Sequence, residues 1–311
     1  MDRRTLLRAA TGLGVGAAIG FSGLRSMDAL ASSPAANVTA LGERLHLITG
    51  VGGNVLALQG DEGLLLVDSG APKRVGQLQS SLKSLARGAK VRTVINTHWH
   101  LDQTGGNDVF GGEGVTIIAH AKARQRMATP QYVTTEDRYL APRKKEALPT
   151  SIFRDVGKVM FGGENLEYGY LLEAHTDGDL YVYLPQANVL AVGDAASPQL
   201  DPVLAWFEGG WLGGRIDSLA RLLAIGNEQT RIVAATGAVV SRAELKTERD
   251  ALLTVFDRMS DSIRKGMTTQ DMQSAKLLDG LPRTWANPDQ FIYDAHKGMW
   301  AHHNTLSHQI V

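Results

Sequence analysis

The chain has 311 residues, 43% hydrophobic and 21% charged, with 32 basic residues balanced by 32 acidic ones. That length buries a sizeable core as one large α/β domain or two small ones, and the composition is that of an ordinary globular enzyme. Interspersed charges with no basic tract or aromatic–basic stripe exclude a nucleic-acid footprint, and the lack of any cysteine excludes disulfides and thiolate metal ligands.

Residues 1–31 read as a targeting segment. Arg3-Arg4-Thr5-Leu6-Leu7-Arg8 is a twin-arginine region, residues 9–24 are weakly apolar and rich in glycine and alanine, and Ala29-Leu30-Ala31 fits a small-residue cleavage site. Glycines at 12, 14, 16, 20 and 23 make a poor transmembrane helix, and the run falls short of the ~20 strongly apolar residues a span needs. The expectation is a signal read by the twin-arginine translocase, a periplasmic or otherwise exported product with no membrane span in its mature form, and a short leader over 32–37. Export after folding suits a protein that takes up metal in the cytoplasm. Removal of residues 1–31 takes away four arginines and two aspartates, for a mature net charge of about −2.

From Val38 to Asp68, apolar runs broken by Gly52-Gly53 and Gly60-Asp61-Glu62-Gly63 predict a strand meander. Residues 75–85 have helical spacing and lead into a β-branched strand over 91–95. A helix is expected from near Asp102, a strand over 115–119 and a helix over 121–127. Residues 129–160 hold Pro130, Pro142, Pro149 and the run Arg143-Lys144-Lys145 without a clean period, and read as a long irregular lid or a solvated loop. Strands follow at 168–173, 180–184 and 189–192, a helix at 215–225 and a last core strand at 231–235. From Ser241 the chain reads as helical, with Leu252, Leu253, Phe256 and Met259 at core spacing, a Thr268-Thr269 cap and an aromatic tail through Trp300. Each half runs strands into helices, which implies a sandwich with helices outside and both sheets' loops along one edge.

The chemistry concentrates in Thr97-His98-Trp99-His100-Leu101-Asp102-Gln103, straight after the 91–95 strand. In an extended loop, side chains two apart project to one side, so His98, His100 and Asp102 converge, whereas a helix would splay them. Two imidazoles and a carboxylate are ligands for zinc or iron(II). His46 reads as a surface or satisfied core group, and His120 as a group close behind the site. His302, His303 and His308 read as a mobile surface tail, with folding back to replace missing ligands as the alternative.

This run resembles the His-x-His-x-Asp-His motif of the metallo-β-lactamase fold superfamily, and further motifs follow in the family's order. Leu64-Leu65-Leu66-Val67-Asp68-Ser69-Gly70 resembles its early strand ending in a structural aspartate. Ala174-His175-Thr176-Asp177-Gly178-Asp179 resembles its third-histidine motif, and Val192-Gly193-Asp194 the strand ending in its metal-bridging aspartate. The wording His-Thr-Asp-Gly-Asp is similar to that of exported quinoprotein-relay zinc metallohydrolases. The resemblance implies a four-layer αββα sandwich over 38–245, with a C-terminal helical extension over 246–311 packed on the same domain. It also implies a metal site built from His98, His100, His175, Asp194 and Asp102.

Two positions depart from the pattern. Gln103 stands where the motif ends in histidine, and Ala235-Thr236-Gly237 stands where the family usually reads Gly-His-Gly. Both lost histidines belong to the family's second metal site, so the expectation is one tightly bound zinc with the second position weak or empty, and iron as the alternative metal. An oxygen-only remnant of Asp102, Asp194, Gln103 and Thr236 suits a hard cation better than zinc. Three imidazoles with an open position form a catalytic rather than a structural zinc site. Asp102, freed from full-time ligation, is the candidate general base, with charge neutralisation and orientation of the site as the plainer role. The expected activity is hydrolysis of a small-molecule ester, lactone, amide or β-lactam-like bond by a metal-activated water. A mononuclear iron oxygenase using His98, His175 and Asp194, or a non-catalytic metal-binding accessory protein, are the alternatives.

Overall fold

The computed structural model describes residues 35–307 except residue 87 and residues 134–136. The expected signal over 1–31, residues 32–34 of the leader, the side chain of His303 and the whole of His308 therefore lie outside what is described. Strands β1 (Asn37–Ala40), β2 (Leu45–Val51), β3 (Gly53–Gly60) and β4 (Gly63–Val67) form the expected antiparallel meander. Helix α1 (Val75–Leu85) crosses over to β5 (Val91–Ile95), which pairs parallel with β4. Both match the bounds read from their periodicity.

After β5 the predicted helix is split into α2 (Leu101–Thr104) and α3 (Asn107–Gly112). The break falls at Gly105-Gly106, where the backbone packs so closely on residues 69–72 that a Cβ on Gly105 would lie 2.2 Å from the Pro72 nitrogen. Strand β6 (Thr116–His120) and helix α4 (Ala121–Ala128) follow.

Residues 129–160 are more regular than expected. They hold a hairpin of β7 (Gln131–Val133) and β8 (Arg138–Leu140), then β9 (Ser151–Phe153) and β10 (Val156–Phe161). Strands of three residues are too short to show a period in sequence, so pairing partners decide them. Arg143 pins this segment down with hydrogen bonds to Thr104 and a 2.7 Å bond to Asp108.

β9 completes a seven-stranded sheet in the order β1-β2-β3-β4-β5-β6-β9. β10 opens a second sheet with β11 (Glu164–Leu171), β12 (Asp179–Leu184), β13 (Val189–Gly193) and β14 (Arg231–Ala234), in chain order. Helix α5 (Leu212–Leu223) carries the crossover between the parallel β13 and β14. Three helices close the described chain, α6 (Arg242–Arg264), α7 (Thr269–Ser274) and α8 (Pro288–Ser307). Capping boxes start α6 at Ser241 with Glu244 and α7 at Thr268 with Asp271.

The alternation of side chains along the central strands assigns the layers. Leu65 and Val67 of β4 face Leu180, Val182 and Ala191 across the space between the sheets, while Leu64 and Leu66 turn to Leu78 and Leu82 of α1. In β13, Val189 and Ala191 face inward, and Leu190 and Val192 pack on Leu219, Leu252 and Phe291 from α5, α6 and α8. Strands covered on both faces read as continuous apolar runs for this reason. The result is the expected four-layer αββα sandwich. The residue 245/246 boundary expected for the helical extension falls inside α6.

As far as His302, the C-terminal segment is packed on the domain and not a loose tail. Phe291, Ile292 and Ala295 bury α8 in the second-sheet core, and His302 stacks on Trp211 at 3.7 Å with Glu173 at 3.5 Å. His302 is thus occupied away from the motif histidines. Among the described residues, no helix is long and apolar enough to cross a membrane.

Candidate metal centre

The loops after β4, β5, β11 and β13 meet at one sandwich edge. Asp68, in the left-handed region at φ 65°, turns its carboxylate under the next strand end. It accepts 2.8 Å hydrogen bonds from the Thr97 backbone and hydroxyl, and Thr97 Oγ1 lies 3.2 Å from His98 Nδ1. Burial pushes the Asp68 carboxyl well above the usual range, against the pull of the Thr97 bonds. Gly193 is required here, since its φ is 55° and a Cβ would meet Thr97 Oγ1 at 2.6 Å.

His98, His100 and His175 come together as the sequence predicts, with one ligand atom of each within 4.8 Å of the others. His100 Nδ1 and His175 Nε2 face one another at 3.0 Å. His98 Nε2 is buried with no hydrogen-bond partner among the described residues. A buried, unpaired nitrogen beside two converging ring nitrogens is the arrangement that a cation satisfies and a protein donor set does not. Burial, then the neighbouring His100 and His175, push His98 well below its ordinary value and keep it a neutral donor. Burial also pulls His100 down, but Glu208, Asp102 and Asp194 outweigh it and lift that imidazole to about 9. The carboxylates therefore favour positive charge at this point.

Asp194, leaving β13, brings Oδ2 to 3.5 Å from His98 Nε2 and 4.0 Å from His175 Nε2. Asp102 is placed differently from the extended projection expected for it. It lies in the first turn of α2 and outside the three-imidazole cluster, because the chain turns helical at Leu101. Burial, and then the nearby Asp194, raise its carboxyl above the ordinary range.

Gln103 is fully buried. Its amide is packed on the bare Cα of Gly53, its Nε2 is 3.5 Å from Asp102 Oδ2, and its Oε1 has no hydrogen-bond partner among the described residues. Thr236 borders a cleft with Pro198, Gln199 and Val240, on a loop held to the site by Ala235 N donating to Gly193 O at 2.9 Å.

The turn bearing His175 is folded by Asp179, which accepts from the backbone nitrogens of His175 at 2.6 Å and Thr176 at 2.8 Å and from the Thr176 hydroxyl at 2.6 Å. Sequence reasoning missed Glu208, whose Oε2 lies 2.6 Å from His100 Nε2. A single glutamate outside any motif, in a 3-10 turn over Trp206–Glu208, carries no signal of its role. His120 sits apart from the three imidazoles, stacked on Tyr170 at 4.0 Å and bonded to the Arg154 carbonyl.

The family model of the metallo-beta-lactamase superfamily matches residues 48–238. The chain belongs to this superfamily. Within the superfamily it is similar to a metallo-beta-lactamase type 2 of Bacillus cereus, 30% identical over 140 residues, which cover 45% of this chain and 49% of the relative. It thus spans about half the length of that curated relative. Among solved structures, the sec-alkylsulfatase Pisa1 from Pseudomonas sp. superposes with a TM-score of 0.62 at 16% identity, over 86% of this chain and 50% of that one. A metallo-beta-lactamase from Pontibacter korlensis superposes with a TM-score of 0.57 at 20% identity, over 70% of this chain and 99% of that one. These two likenesses establish the shared metallo-beta-lactamase fold. Helices α6 to α8 all follow the residues that the family model matches.

Proposed function

We propose that the chain is an exported metal-dependent hydrolase with one tightly held zinc, acting on an ester, lactone, amide or β-lactam-like bond. The observation that carries this reading is the unpartnered, buried His98 Nε2 beside the converging nitrogens of His100 and His175. Three imidazoles with room for a further ligand suit zinc, and the carboxylates that favour positive charge at His100 favour a cation there in place of a proton; a divalent ion held there would supply a Lewis acid and ease deprotonation of water near neutral pH. Asp194 borders the three nitrogens and would orient the attacking water. Asp102, two residues on from His100 in the first turn of α2, would take its proton. The amide of Gln103 and the hydroxyl of Thr236 are weak neutral donors, which supports a single occupied position. The likeness to the Bacillus cereus metallo-beta-lactamase brings a β-lactam bond into the range of substrates. Export is supported by Arg3-Arg4 ahead of a weakly apolar stretch and Ala29-Leu30-Ala31.

The test is elemental analysis of the purified protein together with turnover of a chromogenic cephalosporin, an aryl ester and a lactone. About one zinc per chain and hydrolysis of at least one probe is the expected outcome. Iron in place of zinc, with no hydrolysis, would turn the reading to an oxygenase built on His98, His175 and Asp194. Absence of both metal and turnover would overturn it. For export, replacing Arg3 and Arg4 by lysine should leave the protein in the cytoplasm with its signal attached, and unchanged export of that form would remove the twin-arginine assignment.

A further inference from the structure

We propose that Glu208 is a positioning residue of the metal centre, fixing the ring and tautomer of His100 and strengthening its inward nitrogen as a donor. This rests on the metal-binding reading above. His100 presents Nδ1 to the cluster, 3.0 Å from His175 Nε2, and Nε2 outward, 2.6 Å from Glu208 Oε2. An Nε2 proton donated to the carboxylate leaves the Nδ1 lone pair free and aimed at the cluster. A carboxylate on the far nitrogen of a ligating histidine raises the basicity of the near one.

Glu208 is held for that task by its own segment. Asp177 N donates to Glu208 O at 2.9 Å, and Glu208 N donates to Ala205 O at 2.8 Å. A little upstream, Val203 O accepts from His175 Nδ1 at 2.8 Å, and Ala205 N donates to His175 O at 3.1 Å. One short stretch, residues 203–208, thus presents the outer hydrogen-bond partners of two of the three imidazoles. His98 is braced separately, through Thr97 and Asp68. The stretch in turn leans on α8, where Asp294 accepts hydrogen bonds from Trp206 and from Gln290. Helix α8, which follows the family match, therefore reaches the imidazole cluster through the turn that carries Glu208. Its charge would also add to that of Asp194 in balancing a divalent ion held by the three imidazoles.

The experiment compares the wild-type protein with Glu208→Gln, Glu208→Asp and Glu208→Ala, stripped of metal and titrated with zinc and with cobalt(II) against a chromophoric chelator. Glu208→Gln keeps the shape and an acceptor oxygen but loses the charge, and should bind about 10-fold more weakly. Glu208→Ala should approach the ~100-fold loss typical when such a partner is removed, with an altered cobalt absorption spectrum that Glu208→Asp partly restores. The thermal midpoint of the Gln form without metal should match wild type, which separates positioning from folding. Equal affinities and identical cobalt spectra across the series would overturn the inference while leaving the metal site standing. A wild-type protein that binds neither ion would overturn the metal reading and this inference with it.

Discussion

The three imidazoles differ in what holds them, and that sets what each substitution should do. His175 donates Nδ1 to a backbone carbonyl and presents Nε2 to the cluster, so His175→Ala removes one of three nitrogen donors. It should abolish retention of metal through gel filtration, read by elemental analysis, and retention at the wild-type level would dismiss His175 as a ligand. Asp102 lies in the first turn of α2, outside the nitrogen cluster. Asp102→Asn should therefore keep the metal while lowering the hydrolytic rate by ~10²–10⁴-fold, the usual worth of a proton-transfer group. Full activity in that variant would leave Asp102 an electrostatic role only.

At the scale of elements, α5 and α6 are joined behind the site by an ion pair with no exposure on either side chain. Arg215 donates to Glu248 Oε1 at 2.9 Å and to the Asp194 carbonyl at 2.7 Å, and Glu248 accepts from Ser197 N at 2.9 Å. The pair thus anchors the backbone of Asp194, the residue that borders the imidazole cluster. Glu248→Ala leaves a buried guanidinium uncompensated and should destabilise by about 3–5 kcal/mol in urea unfolding. Replacing both partners, Arg215→Met with Glu248→Leu, should recover most of that loss, because the cost lies in the unpaired charge. An undiminished loss in the double variant would mean that the pair contributes net stability. The element boundaries also explain where a sequence reading falters. α1 and β5 are long and periodic enough to declare their ends, whereas β7, β8 and β9 exist only because partners lie beside them. α2 is cut short where Gly105 N donates to Gly70 O at 2.8 Å instead of back into the helix.

For the whole molecule, the site is a seam. His98 and His100 leave the first sheet at the end of β5, while His175, Asp194 and Glu208 follow strands of the second sheet. A metal held across the seam binds the folded state alone and should stabilise it by RT ln(1 + [L]/Kd), about 2.7 kcal/mol at a free concentration 100 times Kd. Chelation should therefore lower the thermal midpoint in calorimetry, and re-addition of zinc should restore it. A midpoint indifferent to chelator would argue against a metal bridging the two halves.

What the sequence determined by itself was whatever is written in local order. The β-branched strand before His98, the alternate spacing of His98 and His100, the four motifs in family order and the losses at Gln103 and Thr236 all lie within short windows of chain. They are enough to assign the sandwich and to nominate the three histidines. Tertiary structure decided what depends on residues far apart. It placed Asp102 in a helical turn, buried the Gln103 amide against Gly53 and gave His302 to Trp211 rather than to the site. It also set Glu208 against His100 across 108 residues of chain. Hydrogen bonds to a ligand's outer nitrogen need only one acceptor at the right point in space, so the residue supplying it leaves no spacing to read.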